Sequence, residues 1–269
     1  MRPSAARRPD RQSLRRRGRG LRVGAPKGES EFRFYAELND FLAPARRGRA
    51  FRYRFDGTPA VKDAIEALGV PHTEINLILV DGLPVRFSRR LHGGERVAVY
   101  PVFERIDIAP IARLRIAPLR VPRFVADVHL GKLARRLRLL GFDTLYENDC
   151  EDAELVRRSV IGRRILLTRD VGLLKHKALT HAHYVRAPDP EHQLSEIAAA
   201  LDLRSRMCPF TRCMRCNGRL RPVPAASVAA ALPGSVRRTA RRITRCGGCG
   251  RLYWPGTHIE QLTRIIAEL

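Results

Sequence analysis

The sequence predicts an α/β protein: a parallel-sheet domain closed by a four-cysteine ribbon, preceded by a smaller α+β domain of β-grasp type. Three observations carry this. Between Arg123 and Asp170, short apolar strands alternate with helical segments, the pattern of βαβ units and a parallel sheet. Two Cys-x-x-Cys pairs, Cys213/Cys216 and Cys246/Cys249, stand toward the C-terminus, each followed closely by Gly. Ahead of both, two alternating strands, a helix and further strands follow one another. The chain divides accordingly into a basic tail (1–28), the β-grasp domain (29–104), a linker (105–121), the parallel-sheet domain (122–205), and the ribbon with a closing helix (206–269).

The tail carries nine Arg, one Lys and a single Asp without hydrophobic period, so it is expected to be disordered. From Glu31 the pattern changes. Phe32-Arg33-Phe34-Tyr35 and Phe51-Arg52-Tyr53-Arg54-Phe55 alternate as half-buried strands do. Thr58-Pro59 is expected to cap and open a helix over Ala60–Leu68, stopped by Gly69. Ile75–Val80 reads as a strand, Asp81-Gly82 as a turn, and Arg96–Tyr100 as the last strand. The stretch resembles ubiquitin-like sulfur carriers around Leu79-Val80-Asp81-Gly82 and Leu91 to Val97. Those carriers act through an exposed Gly-Gly tail, whereas Gly93-Gly94 here precedes a strand and reads as a turn. The ubiquitin-like domain is therefore expected to be an interaction module for a protein partner, or a structural companion. Arg105–Pro122 is apolar and punctuated by Pro.

In the central domain, Phe124-Val125-Ala126 ends in Asp127, and a helix over Leu130–Leu140 stops at Gly141. Asp143–Tyr146 is extended, and an acid-rich helix start follows from Asn148 to Leu155. Arg164–Thr168 is a second buried strand running into Arg169-Asp170. A short helix (Val171–Ala178), a strand (His183–Val185) and a helix (Pro190–Leu201) complete the unit, and a last helix is expected over Ile259–Glu268.

The formal charge of +24 points to a polyanionic partner, most simply nucleic acid. Only five of the 51 basic residues are Lys, so an Arg-biased composition accounts for part of that charge. No run of about 18 or more apolar residues occurs, so no membrane-spanning helix is expected. The tail lacks the apolar region of a secretory signal. Paired cysteines read as metal ligands in a reducing compartment, and the cytoplasm is the expected location.

The paired cysteines form the most specific motif. Each knuckle needs two thiolates converging on one ion, with Gly relieving the turn behind them. Cys213, Cys216, Cys246 and Cys249 are expected to hold one structural zinc, since four thiolates close the coordination shell. No βαβ context of a redox dithiol surrounds either pair. Between Leu203 and Ile259 there are twelve Arg and no acid, a basic face suited to phosphates that includes Arg215 and Arg219. Cys150 and Cys208 fall outside the pairs.

The acids carry the candidate chemistry. Ligands in parallel sheets sit outside the carboxyl ends of the strands, where Asp127 and Asp170 stand. Several carboxylates converging on hard cations would serve phosphodiester hydrolysis. Asp149, Glu151 and Asp152 are further candidates, with Asp149 and Asp152 expected on one face of a helix start. Acids in a first helical turn also simply complement the helix dipole. Thr168 and Asp170 lie on one strand-end face. His129, His176, His181 and His183 are ordinary histidines unless the fold gathers them. Arg135, Arg136 and Arg138 lie opposite the Leu133, Leu137 and Leu140 stripe, facing either RNA or water.

Phe124–Asp127, Leu133 through Asp143, Ile165–Asp170, the two knuckles with Asn217 and Gly250, and Trp254-Pro255-Gly256-Thr257-His258 together resemble the Mut7-C RNase domain. That family joins a PIN-like nuclease domain to a zinc ribbon, often behind a ubiquitin-like domain, and the order here matches from about Glu31 to His258. The resemblance implies a Mg²⁺- or Mn²⁺-dependent ribonuclease with Asp127 and Asp170 as metal ligands. Its middle acid maps to Asp152, with Asp149 or Glu151 as alternatives, and Thr168 stands beside the set. The fourth acid of PIN nucleases has no match near Lys175-His176-Lys177. The alternative function is a catalytically silent RNA-binding protein.

Overall fold

A computed structural model describes residues 27–101, 121–239 and 242–254, with 263, 266 and 267. Most of the expected basic tail, nearly all of the linker and most of the closing helix lie outside these residues, whereas Lys27 and Gly28, placed in the tail by the sequence, open the first strand.

The first domain is a five-stranded mixed sheet in the order β2-β1-β5-β3-β4. Its strands are β1 (Lys27–Phe34), β2 (Phe51–Asp56), β3 (Ile75–Val80), β4 (Leu83–Pro84) and β5 (Arg96–Pro101). β1 runs antiparallel to β2 and parallel to β5. Alternation sends Phe32, Phe34, Val97 and Val99 inward, where Val61, Ala64 and Ile65 of α1 (Val61–Ala67) close the core. No side chain caps α1, so Thr58 does not serve the role its position suggests. Gly93 and Gly94 form a turn with φ of +101° and +89°, as expected. Both carboxylate oxygens of the buried Glu95 hold it, accepting from the N–H groups of His92 and Gly93 and from the Ser30 hydroxyl.

The second domain carries a parallel sheet in the order β7-β6-β8-β9. The strands are β6 (Phe124–Ala126), β7 (Thr144–Leu145), β8 (Ile165–Thr168) and β9 (Ala182–Tyr184). Between them run α2 (Gly131–Leu139), α3 (Asp152–Gly162) and α4 (Val171–Leu174), and α5 (Pro190–Ala200) follows β9. Strand alternation divides the core by face. Phe124, Ala126, Ile165 and Leu167 meet α2 and α5, whereas Val125 and Leu166 meet α3 and Leu173. The chain leaves β6 toward β7 and returns past it to β8, so strand order reverses between β6 and β8. That is where a parallel sheet opens a crevice. α4 is shorter than the expected Val171–Ala178, ending at Leu174.

The ribbon is a three-stranded antiparallel sheet of β10 (Leu220–Val223), β11 (Ile243–Cys246) and β12 (Leu252–Tyr253). A short helix, α6 (Gly234–Thr239), precedes β11. Trp254 packs beside a small cluster of Val228, Leu232 and Ile243.

The ribbon is anchored by two polar hubs. Arg138, 4% exposed, donates to the carbonyls of Thr144 (2.9 Å), Met214 (3.1 Å) and Arg215 (2.8 Å). Asp143 receives Asn217 Nδ2 at 2.7 Å and pairs with Arg164 at 2.8 Å and Arg212 at 3.3 Å. Arg138 thus departs from the surface role expected of it: an arginine with three carbonyl partners is satisfied inside, and the solvent-facing stripe of α2 is narrower than its sequence suggests.

Candidate active site and metal centre

The four knuckle cysteines converge. Among the described residues they are the one group of three or more His, Cys, Asp or Glu placed to hold a single ion, their sulfurs all within 4.8 Å of one another. Tetrahedral zinc with Zn–S bonds of about 2.3 Å sets its sulfurs about 3.8 Å apart. Cys213 and Cys249 stand at 3.7 Å and Cys216 and Cys246 at 3.3 Å, so the cage fits. A Cβ on Gly218 would lie 2.8 Å from the Cys246 sulfur, which explains the glycine behind the first pair. Burial pushes the Cys213 thiol up, but the Tyr253 hydroxyl at 3.0 Å and nearby backbone N–H groups outweigh it and draw the thiol down to about 6. Burial and the neighbouring thiols push Cys216 to about 12. The Cys213 thiolate is therefore ready for a cation at neutral pH. Cys150 and Cys208 stay outside the cage.

The acids sit at the carboxyl edge as expected. Asp127 directly follows β6 and is 5% exposed. Its Oδ2 accepts from the Thr168 hydroxyl at 2.6 Å, and its Oδ1 from the Val128 N–H at 2.5 Å. The same Thr168 oxygen accepts the Asp170 N–H at 2.9 Å. Asp170 is exposed and caps α4 through Gly172 N–H at 2.6 Å. Thr168 therefore ties the two strand-end acids to one buried hydroxyl at the switch point.

Asp149 and Glu151 lie on the β7–α3 connection and Asp152 opens α3, all three exposed. α3 begins only at Asp152, with Glu151 as its N-cap residue, so Asp149 and Asp152 do not share a helical face as expected. With Asp127 and Asp170 these acids form no compact ligand group among the described residues. The histidines do not gather either: His183 meets Glu196 at 3.4 Å, and His129 lines a cleft.

That cleft, of about 450 Å³, is lined from Val128, the residue after Asp127, onward. His129, from the short turn before α2, and Lys132 and Arg135, three residues apart and so on one side of α2, line one wall. Val128, Gly131, Tyr146, Pro188, Pro190 and Gln193 form the rest, and no carboxylate lines it. The Tyr146 hydroxyl donates to the Val128 carbonyl at 3.0 Å. A Cβ on Gly131 would fall 2.5 Å from that hydroxyl, so only glycine lets the ring lie over the start of α2. Arg136 is half-buried and paired with Glu191 at 3.0 Å. Of the three arginines expected along this helix, Arg135 is the one that is both exposed and at the cleft. Arg215 and Arg219 are exposed on the ribbon.

Sequence reasoning missed several of these parts. Lys132 was legible as the middle of a three-residue spacing. Tyr146 and Arg169 carried no signal, because their partners are remote carbonyls; Arg169 donates to those of Val185, Arg186 and Ala187 at 2.6–3.0 Å.

No helix among the described residues is long and apolar enough to cross a membrane. The family model described as the Mut7-C RNAse domain matches residues 122–266, and the one described as Mut7-C ubiquitin matches residues 28–107. No curated protein matches the chain. Two solved structures of small archaeal modifier protein 1 from Haloferax volcanii are similar to part of it. One is 23% identical, covering 29% of this chain and 98% of its own, with a TM-score of 0.24. The other is 22% identical, covering 28% and 97%, with a TM-score of 0.23.

Proposed function

Since the chain belongs to the Mut7-C RNAse domain family, we propose that it is a Mg²⁺- or Mn²⁺-dependent ribonuclease that hydrolyses RNA phosphodiester bonds, its ribbon zinc-bound and aiding RNA binding. The observation that carries this reading is the pairing of Asp127 and Asp170 through Thr168 at the strand-order switch point.

The donor set suits a hard cation in kind, since carboxylate and hydroxyl oxygens are its preferred ligands. Mg²⁺ keeps several waters and takes only one or two carboxylates directly, which accommodates acids that are not in mutual contact. Asp127, Asp152 and Asp170 would hold it, with Asp149 or Glu151 as alternates to Asp152. When bound, such a cation lowers the pKa of a water and offsets charge on the attacked phosphate. The chain's own residues do the rest. Thr168 fixes the Asp127 carboxylate in one orientation, and Lys132 and Arg135 draw a phosphate toward it. The Tyr146 ring and the two prolines give a base or sugar an apolar wall. Arg215 and Arg219 extend the phosphate-binding surface onto the ribbon. In the reaction a water oxygen bonds to phosphorus and gives up a proton to solvent, one ester P–O bond breaks, and the leaving oxygen takes a proton from solvent.

One observation favours the competing reading of a silent RNA-binding protein: Asp127 and Asp170 both cap the elements that follow them. Asp170→Asn and Asp170→Ala separate the two. As a metal ligand, Asp170 is needed as a carboxylate, so both variants lose Mn²⁺-dependent RNA cleavage. As a cap alone, Asn serves about as well as Asp, whereas Ala costs of order 1 kcal/mol of stability. Full cleavage by Asp170→Asn ends the nuclease-site assignment. The cytoplasm and a protein partner for the ubiquitin-like domain belong to the same proposal.

A further inference from the structure

We infer that the ubiquitin-like domain works in cis, as a clamp on the two segments that flank Asp170. β9 is an edge strand, with one row of backbone groups left unpaired by its own sheet. Glu74 of the ubiquitin-like domain meets that row. Its Oε1 accepts the Tyr184 N–H at 2.8 Å, and its Oε2 accepts Arg186 Nη2 at 3.1 Å. The residue is 6% exposed, and both of these donors come from the other domain. Docking takes this carboxylate out of water, and the two donors of the other domain supply the hydrogen bonds that offset its desolvation. Arg186 also reaches Asp40 at 3.3 Å and lies over the rings of Phe41 and Tyr184, which meet edge to face.

A second set of contacts grips the end of α4. The Thr73 hydroxyl donates to the Leu174 carbonyl at 3.4 Å, and Lys175 Nζ donates to the Glu66 carbonyl at 3.1 Å. His72 Nε2 donates to the Leu179 carbonyl at 3.1 Å.

Both gripped segments lead to Asp170. α4 is the helix that Asp170 caps. The 185–187 loop is held by Arg169, the residue between Thr168 and Asp170, and continues into Pro188 and Pro190 of the cleft wall. The clamp therefore bears on an acid and on a wall of the substrate cleft without contributing a ligand to either. Its effect on catalysis rests on the ribonuclease reading; the docking does not.

Hydrogen exchange and RNA cleavage by the full chain test it, comparing Glu74→Ala with Arg52→Ala, a change on the exposed face of β2. In Glu74→Ala, amides of 171–187 are expected to exchange about tenfold or more faster, the scale of a lost charged hydrogen bond, with β6 unchanged. Cleavage is expected to lose about tenfold in kcat with KM held within about twofold, as for a group that positions rather than binds. Arg52→Ala should match the wild type in both. Should Glu74→Ala fail to fold, Arg186→Ala cuts into the same junction and carries the same expectations. Unchanged exchange over 171–187 overturns the clamp, as a ubiquitin-like domain acting only on outside partners requires. Faster exchange with an unaltered kcat overturns its bearing on Asp170. Wild-type protein that cuts no RNA overturns the nuclease reading, and the exchange comparison then decides the docking by itself.

Discussion

The Thr168 hydroxyl donates to Oδ2 of Asp127 across 2.6 Å, from the strand beside the one that Asp127 ends. With its proton committed there, the oxygen accepts the Asp170 N–H. Thr168→Val keeps the buried volume and deletes both bonds. It is expected to cost about 1–3 kcal/mol, because Asp127 is left short of a donor in a buried place, and to lower Mn²⁺-dependent cleavage. Thr168→Ser should restore most of both. Wild-type cleavage by the valine variant, measured beside its melting temperature, would refute the assignment.

Arg138→Met should loosen the ribbon without emptying it. Three carbonyls lose their donor, and unsatisfied buried acceptors cost about 1–3 kcal/mol each when water does not replace it. Limited proteolysis should then cut near residues 206–212 while zinc content stays at one per chain. Unaltered proteolysis would show that the apolar contacts suffice.

Cys213→Ser should abolish zinc binding and the local fold of the ribbon, because metal binding supplies folding free energy to a unit with little core. Cys150→Ser should retain zinc. Elemental analysis that finds no zinc in the wild type, or equal loss in both variants, contradicts the four-cysteine cage.

Acid should act on the junction through Asp143. Burial raises its pKa, but the hydrogen bonds from Arg164 and Asn217 outweigh burial and leave it below the usual carboxylate range. A depressed native pKa contributes stability that is present above the unfolded value, about 3.9, and is lost as pH falls through the native value. Denaturant melts from about pH 5 downward should therefore show a steeper acid limb for the wild type than for Asp143→Asn. Parallel limbs would remove Asp143 from the docking account.

Lys132→Ala and Arg135→Ala should each weaken RNA binding across sequences and lower the slope of log K against log salt by up to about one. Each is a point charge on the backbone and reads no base. Binding indifferent to salt would defeat the phosphate-contact reading.

Much of this molecule was determined locally, and those parts were legible in the sequence. Alternation in Phe32–Tyr35 and the buried run Ile165–Thr168 specify strands because a strand's side-chain period is two. Each Cys-x-x-Cys with its glycine specifies a knuckle because both thiolates must turn toward one ion. An acid ending an apolar run marks a strand's carboxyl edge, which placed Asp127 and Asp170. Tertiary structure alone decided the rest, because those interactions join residues with no common period. Helical spacing put Arg138 on the solvent side, yet the ribbon folds back over it and offers carbonyls more than seventy residues away. Glu74 and Tyr184, 110 residues apart, meet only because β9 ends a sheet and a buried carboxylate can finish its hydrogen bonding. The start of α3 follows the same rule. A run of acids announces a helix, but the first residue to enter it is set where the chain from β7 turns back onto the sheet.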